Sequence, residues 1–494
     1  MRNGTLLAAV DLGSNSFRLE IGRYAHGQIE GVEYLRETVR QGSGLDETRR
    51  LTADAMQRGW ACLARFAERL AGFGPDQVRA VATQTLREAR NRDEFLARAD
   101  DVLGFPIDVI SGREEARLIY QGVARLLPQS SERRLVVDIG GRSTELILGR
   151  QFDAGVTESY RVGSVTWSTR YFPDGRLTES AFERAEIAAQ AVLDDALSAY
   201  APDNWDIAYG SAGTITAVAD ILQRAGIGGG AVTAQGLDWL SDRLLAAGQV
   251  DRVRLEGLKD DRRPVLAGGV SVLRAVFNLM DVEEMVPAAG ALRHGVLYEM
   301  LDRDGGALDD VRSATVKRLS ANFQVDAAQA ERVERIARQL FRQLRRGSGP
   351  DLHEHEQMLA WAARLHGIGA IISHSDAHKH GAYILENADA PGFSQSELHR
   401  LALLVLGHRG KLRKLDVDFA DTWFVHQLMC LRLAVILCHA RREPDLKGLA
   451  LRGAEDHVRL TLRRGWSEAW PQSAHLLREE CVAWLRLPWS LLLE

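Results

Sequence analysis

Asp11-Leu-Gly-Ser-Asn-Ser-Phe-Arg-Leu-Glu-Ile-Gly-Arg23 aligns without a gap on Asp138-Ile-Gly-Gly-Arg-Ser-Thr-Glu-Leu-Ile-Leu-Gly-Arg150, at an offset of 127 residues. Six of the thirteen positions are identical: Asp11/Asp138, Gly13/Gly140, Ser16/Ser143, Leu19/Leu146, Gly22/Gly149 and Arg23/Arg150. Each copy follows an apolar run, Leu6 to Val10 or Leu135 to Val137, so each reads as a buried strand, a tip of small residues and a second apolar strand. Glycines let the backbone turn its N–H groups toward a ligand and Ser and Thr add hydroxyls, which makes such a tip a phosphate cradle. The aspartate that opens each tip suits a metal ion or an attacking water. A lone D-x-G is as readily a plain hairpin turn. Two copies in matching positions predict a duplicated α/β architecture whose hairpins face each other across a cleft and hold one phosphate-rich ligand.

Between the hairpins, Thr52 to Leu70 and Arg92 to Leu103 have helical spacing, while Val78 to Ala82 and Ile107 to Ile110 read as short strands. Strands alternating with helices imply a largely parallel sheet. A third small-residue turn, Gly210-Ser-Ala-Gly-Thr214, follows apolar Ile207 to Tyr209 and precedes the helix-like Ile215 to Gln223, the arrangement of an anion site at a helix N-terminus. From Val311 onward the pattern is helical, including Ala327 to Leu344, with a breaker at Arg346-Gly-Ser-Gly-Pro350.

The composition bounds the function. The chain has 494 residues, 46% apolar and 26% charged, enough for several globular domains. A net charge of −5 argues against nucleic acid as a partner and makes any polyanion site local. Six of the 62 basic residues are lysine, a bias that codon usage explains as well as phosphate binding does. Cys62, Cys430, Cys438 and Cys481 are scattered, which fits a reducing cytoplasm, and the segment Met1 to Val10 is too short for an export signal or a membrane span. Cytoplasmic placement is expected, with peripheral association at the inner membrane left open and no integral membrane contact.

These residues resemble the exopolyphosphatase and guanosine pentaphosphate phosphohydrolase family, of the actin, Hsp70 and sugar-kinase superfamily. The resemblance rests on Ala9 to Phe17, Ala82-Thr-Gln-Thr-Leu-Arg87, Ile110-Ser-Gly-Arg-Glu-Glu-Ala-Arg-Leu118, Val137 to Leu146, Gly210 to Thr214 and Gly290-Ala-Leu-Arg-His-Gly-Val-Leu-Tyr298. It implies a duplicated actin-like (ribonuclease H-like) core, domain I over 1–125 and domain II over 126–305, followed by an all-α HD-like domain over 306–442 and a small α+β appendage over 443–494. It also implies hydrolysis, with Glu115 as the water-activating carboxylate and Arg87 near the scissile group. By residues alone, Glu114 and Glu115 read as the acidic first turn of a surface helix, and Arg87 as an ordinary helix-start arginine.

By the same resemblance Asp138 and Glu145 carry Mg²⁺. Glu145 stands where the first repeat has Arg18, so the second hairpin is expected to be the metal side and the first mainly a cradle. The phosphate-binding set is Asp11, Gly13, Ser14, Asn15 and Ser16, then Gly140, Gly141, Ser143 and Thr144, then Gly210, Ser211, Gly213 and Thr214. Two departures stand out. Arg142 replaces the third glycine of the family's D-I-G-G-G-S and either adds a phosphate contact or points to solvent, the latter preferred. Ser211 and Ala212 are exchanged relative to G-A-S-G-T, which puts a hydroxyl contact from Ser211 in question.

Trp361-Ala-Ala-Arg-Leu-His-Gly-Ile-Gly369 resembles the His-Asp metal-phosphohydrolase helix with Gly367 in place of the aspartate, so its metal centre is not expected. His374 to Leu385 resembles the exopolyphosphatase branch. With it, His378, Lys379 and His380, together with the segment His408-Arg-Gly-Lys-Leu-Arg-Lys414 containing Lys411 and Lys414, read as a cationic track for a long phosphate chain, or as two solvated loops. Arg161 and Arg262 match family positions on the polyanion route. The resulting expectation is a processive, Mg²⁺-assisted exopolyphosphatase acting on inorganic polyphosphate, as a homodimer by resemblance. The alternative is a guanosine pentaphosphate (pppGpp) 5′-phosphohydrolase, with pppGpp or ppGpp as a nucleotide partner. A sugar kinase and a non-catalytic polyphosphate or alarmone sensor are the more distant options.

Overall fold

Both repeats are strand pairs in the computed structural model, which describes residues 2–25, 28–128, 130–305, 311–345, 350–388, 390, 392–454, 456–485 and 487–494. The first sheet contains β1 (Leu6–Leu12), β2 (Phe17–Ala25), β3 (Gln28–Glu37), β4 (Val78–Ala82) and β5 (Ile107–Val109), in spatial order β3-β2-β1-β4-β5. The second contains β6 (Arg133–Ile139), β7 (Thr144–Arg150), β8 (Asp153–Tyr160), β9 (Ile207–Ser211), β10 (Val232–Thr233) and β11 (Glu284–Pro287). Read from β8, its order β8-β7-β6-β9-β11 repeats the first sheet strand for strand, with β10 added as an antiparallel edge. In each, the hairpin is antiparallel and the strands beyond it run parallel to its first strand. The duplication in the text is therefore a duplication of topology.

The apolar runs follow from burial on both faces. Along β1, Ala8, Val10 and Leu12 enter one core while Leu7 and Ala9 enter another. Along β6, Leu135, Val137 and Ile139 face their own core while Val136 joins Leu7 and Ala9. That shared layer is filled by the helices Gly112–Leu126 and Leu292–Gly305, through Leu118, Ile119, Tyr120, Val296 and Leu297. The two helices cross closely: a β-carbon on Gly295 would overlap the Leu118 carbonyl, so glycine there sets the approach. A buried ionic chain also ties them, because Glu114 takes Arg117 bidentately at 2.8 Å and Glu299 bonds both Arg117 and Arg79.

Gly210 to Thr214 is not a separate turn. Strand β9 runs to Ser211 and the helix Ala212–Arg224 begins at the next residue, the switch made by Ala212 at φ 67°.

The chain forms two compact units, 1–308 and 309–494. The second is built on the helices Val311–Asn322, Ala327–Leu344, Pro350–Leu365, Ala377–Asn387, Gln395–Gly407 and Thr422–Leu437. Its three-stranded sheet, β12 (Leu449–Gly453), β13 (His457–Leu462) and β14 (Ser490–Leu493), sends Leu451, Val458, Leu460 and Leu491 into the same apolar core as Trp361, Leu428 and Leu431. Residues 443–494 thus share a core with the helices before them. The expected breaker at 346–349 lies outside the described residues. Among the described residues no helix is long and apolar enough to cross a membrane.

Candidate active site

The two hairpin tips face one cleft of about 260 Å³ in the first unit, lined by Gly13, Ser14, Asn15 and Ser16 from one side and Gly140, Gly141 and Ser143 from the other. The tips touch: a β-carbon on Gly141 would sit 3.6 Å from those of Ser14 and Asn15. Ser16 Oγ is buried without a hydrogen-bond partner among the described residues, as expected of a hydroxyl reserved for a ligand. Asp11, Asp138, Glu115, Glu145 and Gly213 line the same space.

The hairpins differ at one ladder position. Asp11 is opposite Arg18 and bonded to it at 2.8 Å, whereas Asp138 is opposite Glu145, so the second hairpin presents two buried carboxylates on one face. Burial pushes Asp138 up to about 6; Arg18 opposes the rise, and Asp11 adds to it. Glu145 is held well above the usual range by burial and by Glu115 and Asp138, against one hydrogen bond at 2.7 Å from Ser159 Oγ. Two crowded, hard-oxygen donors fit Mg²⁺, which commonly takes one or two carboxylates and completes its shell with phosphate oxygens and water. Among the described residues no three His, Cys, Asp or Glu side chains are grouped as metal ligands.

Glu115 does not open a surface helix. The helix Gly112–Leu126 is capped by Ser111, whose hydroxyl accepts from Glu114 N at 3.1 Å, but its first turn is driven inward and both glutamates are buried. Burial lifts Glu115 to about 7, opposed by Arg87 and reinforced by Asp11 and Asp138. Arg87 is fixed in place: it donates to Glu115 at 2.8 Å, to the Ile110 carbonyl at 2.9 Å and twice to Gln84 Oε1. These bonds place it against the Glu115 carboxylate, which an ordinary helix-start arginine would not reach.

Several expected phosphate ligands serve the framework instead. Thr144 is buried and donates to the Val162 carbonyl at 2.6 Å; Thr214 donates to Ile139 O and Ser211 to Gly290 O, each at 2.9 Å. Gly210 lies within β9, where a β-carbon would strike Ile215 and Met285. Gly213 does reach the cleft, and the guanidinium of Arg262 packs where its side chain would be. Arg142 neither points to solvent nor waits for phosphate. It crosses to the first sheet's side, donating to the Gly42 carbonyl at 3.0 Å and to Glu88 at 2.8 Å. Arg161 is 69% exposed and lies 3.7 Å from the same Glu88.

The cationic segments of the second unit are less cationic than their spelling. His378, Lys379 and His380 form the first turn of the helix Ala377–Asn387, and Lys379 is paired with Asp376 at 2.9 Å. Burial and nearby cations hold His378 below its ordinary range. His408 is buried edge-on to His366 and His378 and is pushed down to about 3, so it is neutral. Lys411 and Lys414 are exposed.

Sequence reading missed Arg18, Tyr34, Arg36, Lys259 and Arg293 as cleft residues. Arg18 was visible in the repeat as the partner position of Glu145, and Arg293 lies inside the quoted Gly290 to Tyr298. Arg36 and Lys259 carry no local signal. Arg262 is pushed down to about 10 by burial and by Arg36 and Arg18, so the cleft gathers cations beside its carboxylates.

Residues 21–304 match the Ppx/GppA phosphatase family, and residues 311–481 match Ppx/GppA phosphatase, domain III. A guanosine-5′-triphosphate,3′-diphosphate pyrophosphatase of Vibrio cholerae is 38% identical over 492 residues, 99% of this chain and 98% of that one. The enzyme of that name from Aeromonas salmonicida is 37% identical over 493 residues, 99% of each. Among solved structures, the Aquifex aeolicus PPX-GPPA enzyme is 26% identical with a TM-score of 0.51, covering 60% of this chain and 99% of its own. The fold is a duplicated actin-like core followed by a helical unit.

Proposed function

The chain belongs to the Ppx/GppA phosphatase family, and on that premise we propose that it hydrolyses guanosine 5′-triphosphate 3′-diphosphate to guanosine 3′,5′-bisdiphosphate and orthophosphate. The observation that carries this substrate is the identity of 38% with a relative so named, sustained over nearly the full length of both chains. Polyphosphate gives way as first choice. It rested on the cationic segments of the second unit, where His408 is buried and neutral.

In this reading Glu115 is the general base. Its carboxylate takes a proton from water as the water oxygen bonds to the terminal phosphorus and the bridging P–O bond breaks, leaving the 5′-diphosphate. A group whose pKa lies near 7 is suited to that transfer at neutral pH. Arg87 fixes the carboxylate, and the tips at 13–16 and 140–143 cradle the phosphates. Arg18 neutralises Asp11, so that the first tip receives an anion without two facing carboxylates. Asp138 and Glu145 would hold Mg²⁺, which supplies charge neutralisation to phosphoryl oxygens when bound.

The test is orthophosphate release by the full chain with Mg²⁺. A kcat/KM at least about tenfold higher on pppGpp than on long polyphosphate, per chain end, supports the proposal. The opposite preference would restore the exopolyphosphatase reading.

A further inference from the structure

The cleft contains an aromatic group that phosphate chemistry does not use. Tyr34 lies on edge strand β3, lines the cleft and keeps 47% of its surface exposed. Arg293 lies over the ring, 4.7 Å from its centroid, and is itself held by Glu20 at 2.5 Å. The register sets Glu20 opposite Tyr34 and Arg18 opposite Arg36, so these four share one face of the hairpin. Arg36 is anchored to Asp261 at 2.7 Å, beside Arg262, and Lys259 completes this end of the cleft. Arg18, bonded to Asp11, lines the same cleft.

An open aromatic ring backed by a guanidinium is a stacking surface. A bare phosphate chain gains nothing from it, whereas a nucleobase does, and the cations around it suit a further phosphate group carried on the ribose. We propose that Tyr34 is the platform on which the guanine base stacks, with Arg36, Lys259 and Arg262 placed around it for the 3′-diphosphate. This rests on the nucleotide reading above and assigns the residue that would separate a nucleotide from polyphosphate.

The experiment compares the native chain with Tyr34→Leu and Tyr34→Phe on two compounds, pppGpp and inorganic tripolyphosphate, the latter scored as substrate or as competitive inhibitor. Tyr34→Leu is expected to raise KM for pppGpp about tenfold with kcat within about twofold, and to leave KM or Ki for tripolyphosphate unchanged. Tyr34→Phe, which keeps the ring, is expected to restore native KM. An unchanged KM for pppGpp, or an equal loss on both compounds, overturns the stacking role while the nucleotide reading stands. A native chain that cleaves tripolyphosphate but not pppGpp overturns the nucleotide reading itself, and the base platform with it.

Discussion

Asp11 and Arg18 are joined at 2.8 Å across the first hairpin, at the two positions where the second hairpin sets Asp138 against Glu145. One duplicated strand pair is thus neutral within itself, and the other carries two carboxylates that repel. In the proposed reading this difference of one side chain, Arg18 against Glu145, makes the first hairpin the phosphate cradle and the second the cation side. Replacing Glu145 by Gln removes one donor and is expected to raise the Mg²⁺ concentration needed for half-maximal activity by at least about tenfold, measured by metal titration at saturating substrate.

The pH dependence should report Glu115. A base must be deprotonated, so kcat/KM is expected to rise with pH through a midpoint near 7 in the absence of bound cation effects, and lower when Mg²⁺ neutralises the neighbouring carboxylates. Because Arg87 opposes the rise, Arg87→Met is expected to move the midpoint upward, which a pH–rate profile would register.

Stability should run the other way. Asp138 and Glu115 have folded-state pKa values raised to about 6 and about 7, so the native chain holds protons that the unfolded chain releases. That contribution is complete below the unfolded values and is lost as pH climbs through 6 and 7. Metal-free protein is expected to melt at progressively lower temperature from pH 5 to pH 8. Excess Mg²⁺ should recover most of the loss, as read by thermal denaturation with and without chelator.

Arg142 tests the bridge between the two halves of the core. Its bonds to Glu88 and to the Gly42 carbonyl are largely shielded from water, and a charge-assisted pair of this kind is worth about 1–2 kcal/mol. Arg142→Gly and Glu88→Gln are each expected to lower the urea midpoint. The double variant should cost less than the two singles combined, the signature of a favourable pairwise interaction in a double-mutant cycle.

The hairpins were legible because strand periodicity and a repeat are local properties, and the structure reproduces Val78–Ala82 and Arg92–Leu103 to the residue. The inward turn of Glu115 was not. It depends on long-range packing, including the helix Leu292–Gly305, whose Glu299 bonds Arg117 across 182 residues, and locally two acids after Ser111 look like a solvated helix start. For the same reason His408 read as a surface cation: a charge pattern does not reveal that two other imidazoles and a helix core will enclose it. Thr144 and Thr214 looked like ligands by type, yet their hydroxyls were claimed by carbonyls of neighbouring segments. Arg142 departed from the family pattern in plain view. Its partners, Gly42 and Glu88, became apparent only when the two sheets were set side by side.

The most direct measurement is orthophosphate release from pppGpp by the Glu115→Gln chain, together with its affinity for the same nucleotide. A fall of about 10²- to 10⁴-fold in kcat with Kd within about threefold of native is expected if this carboxylate is the base. Turnover at the native rate would contradict it.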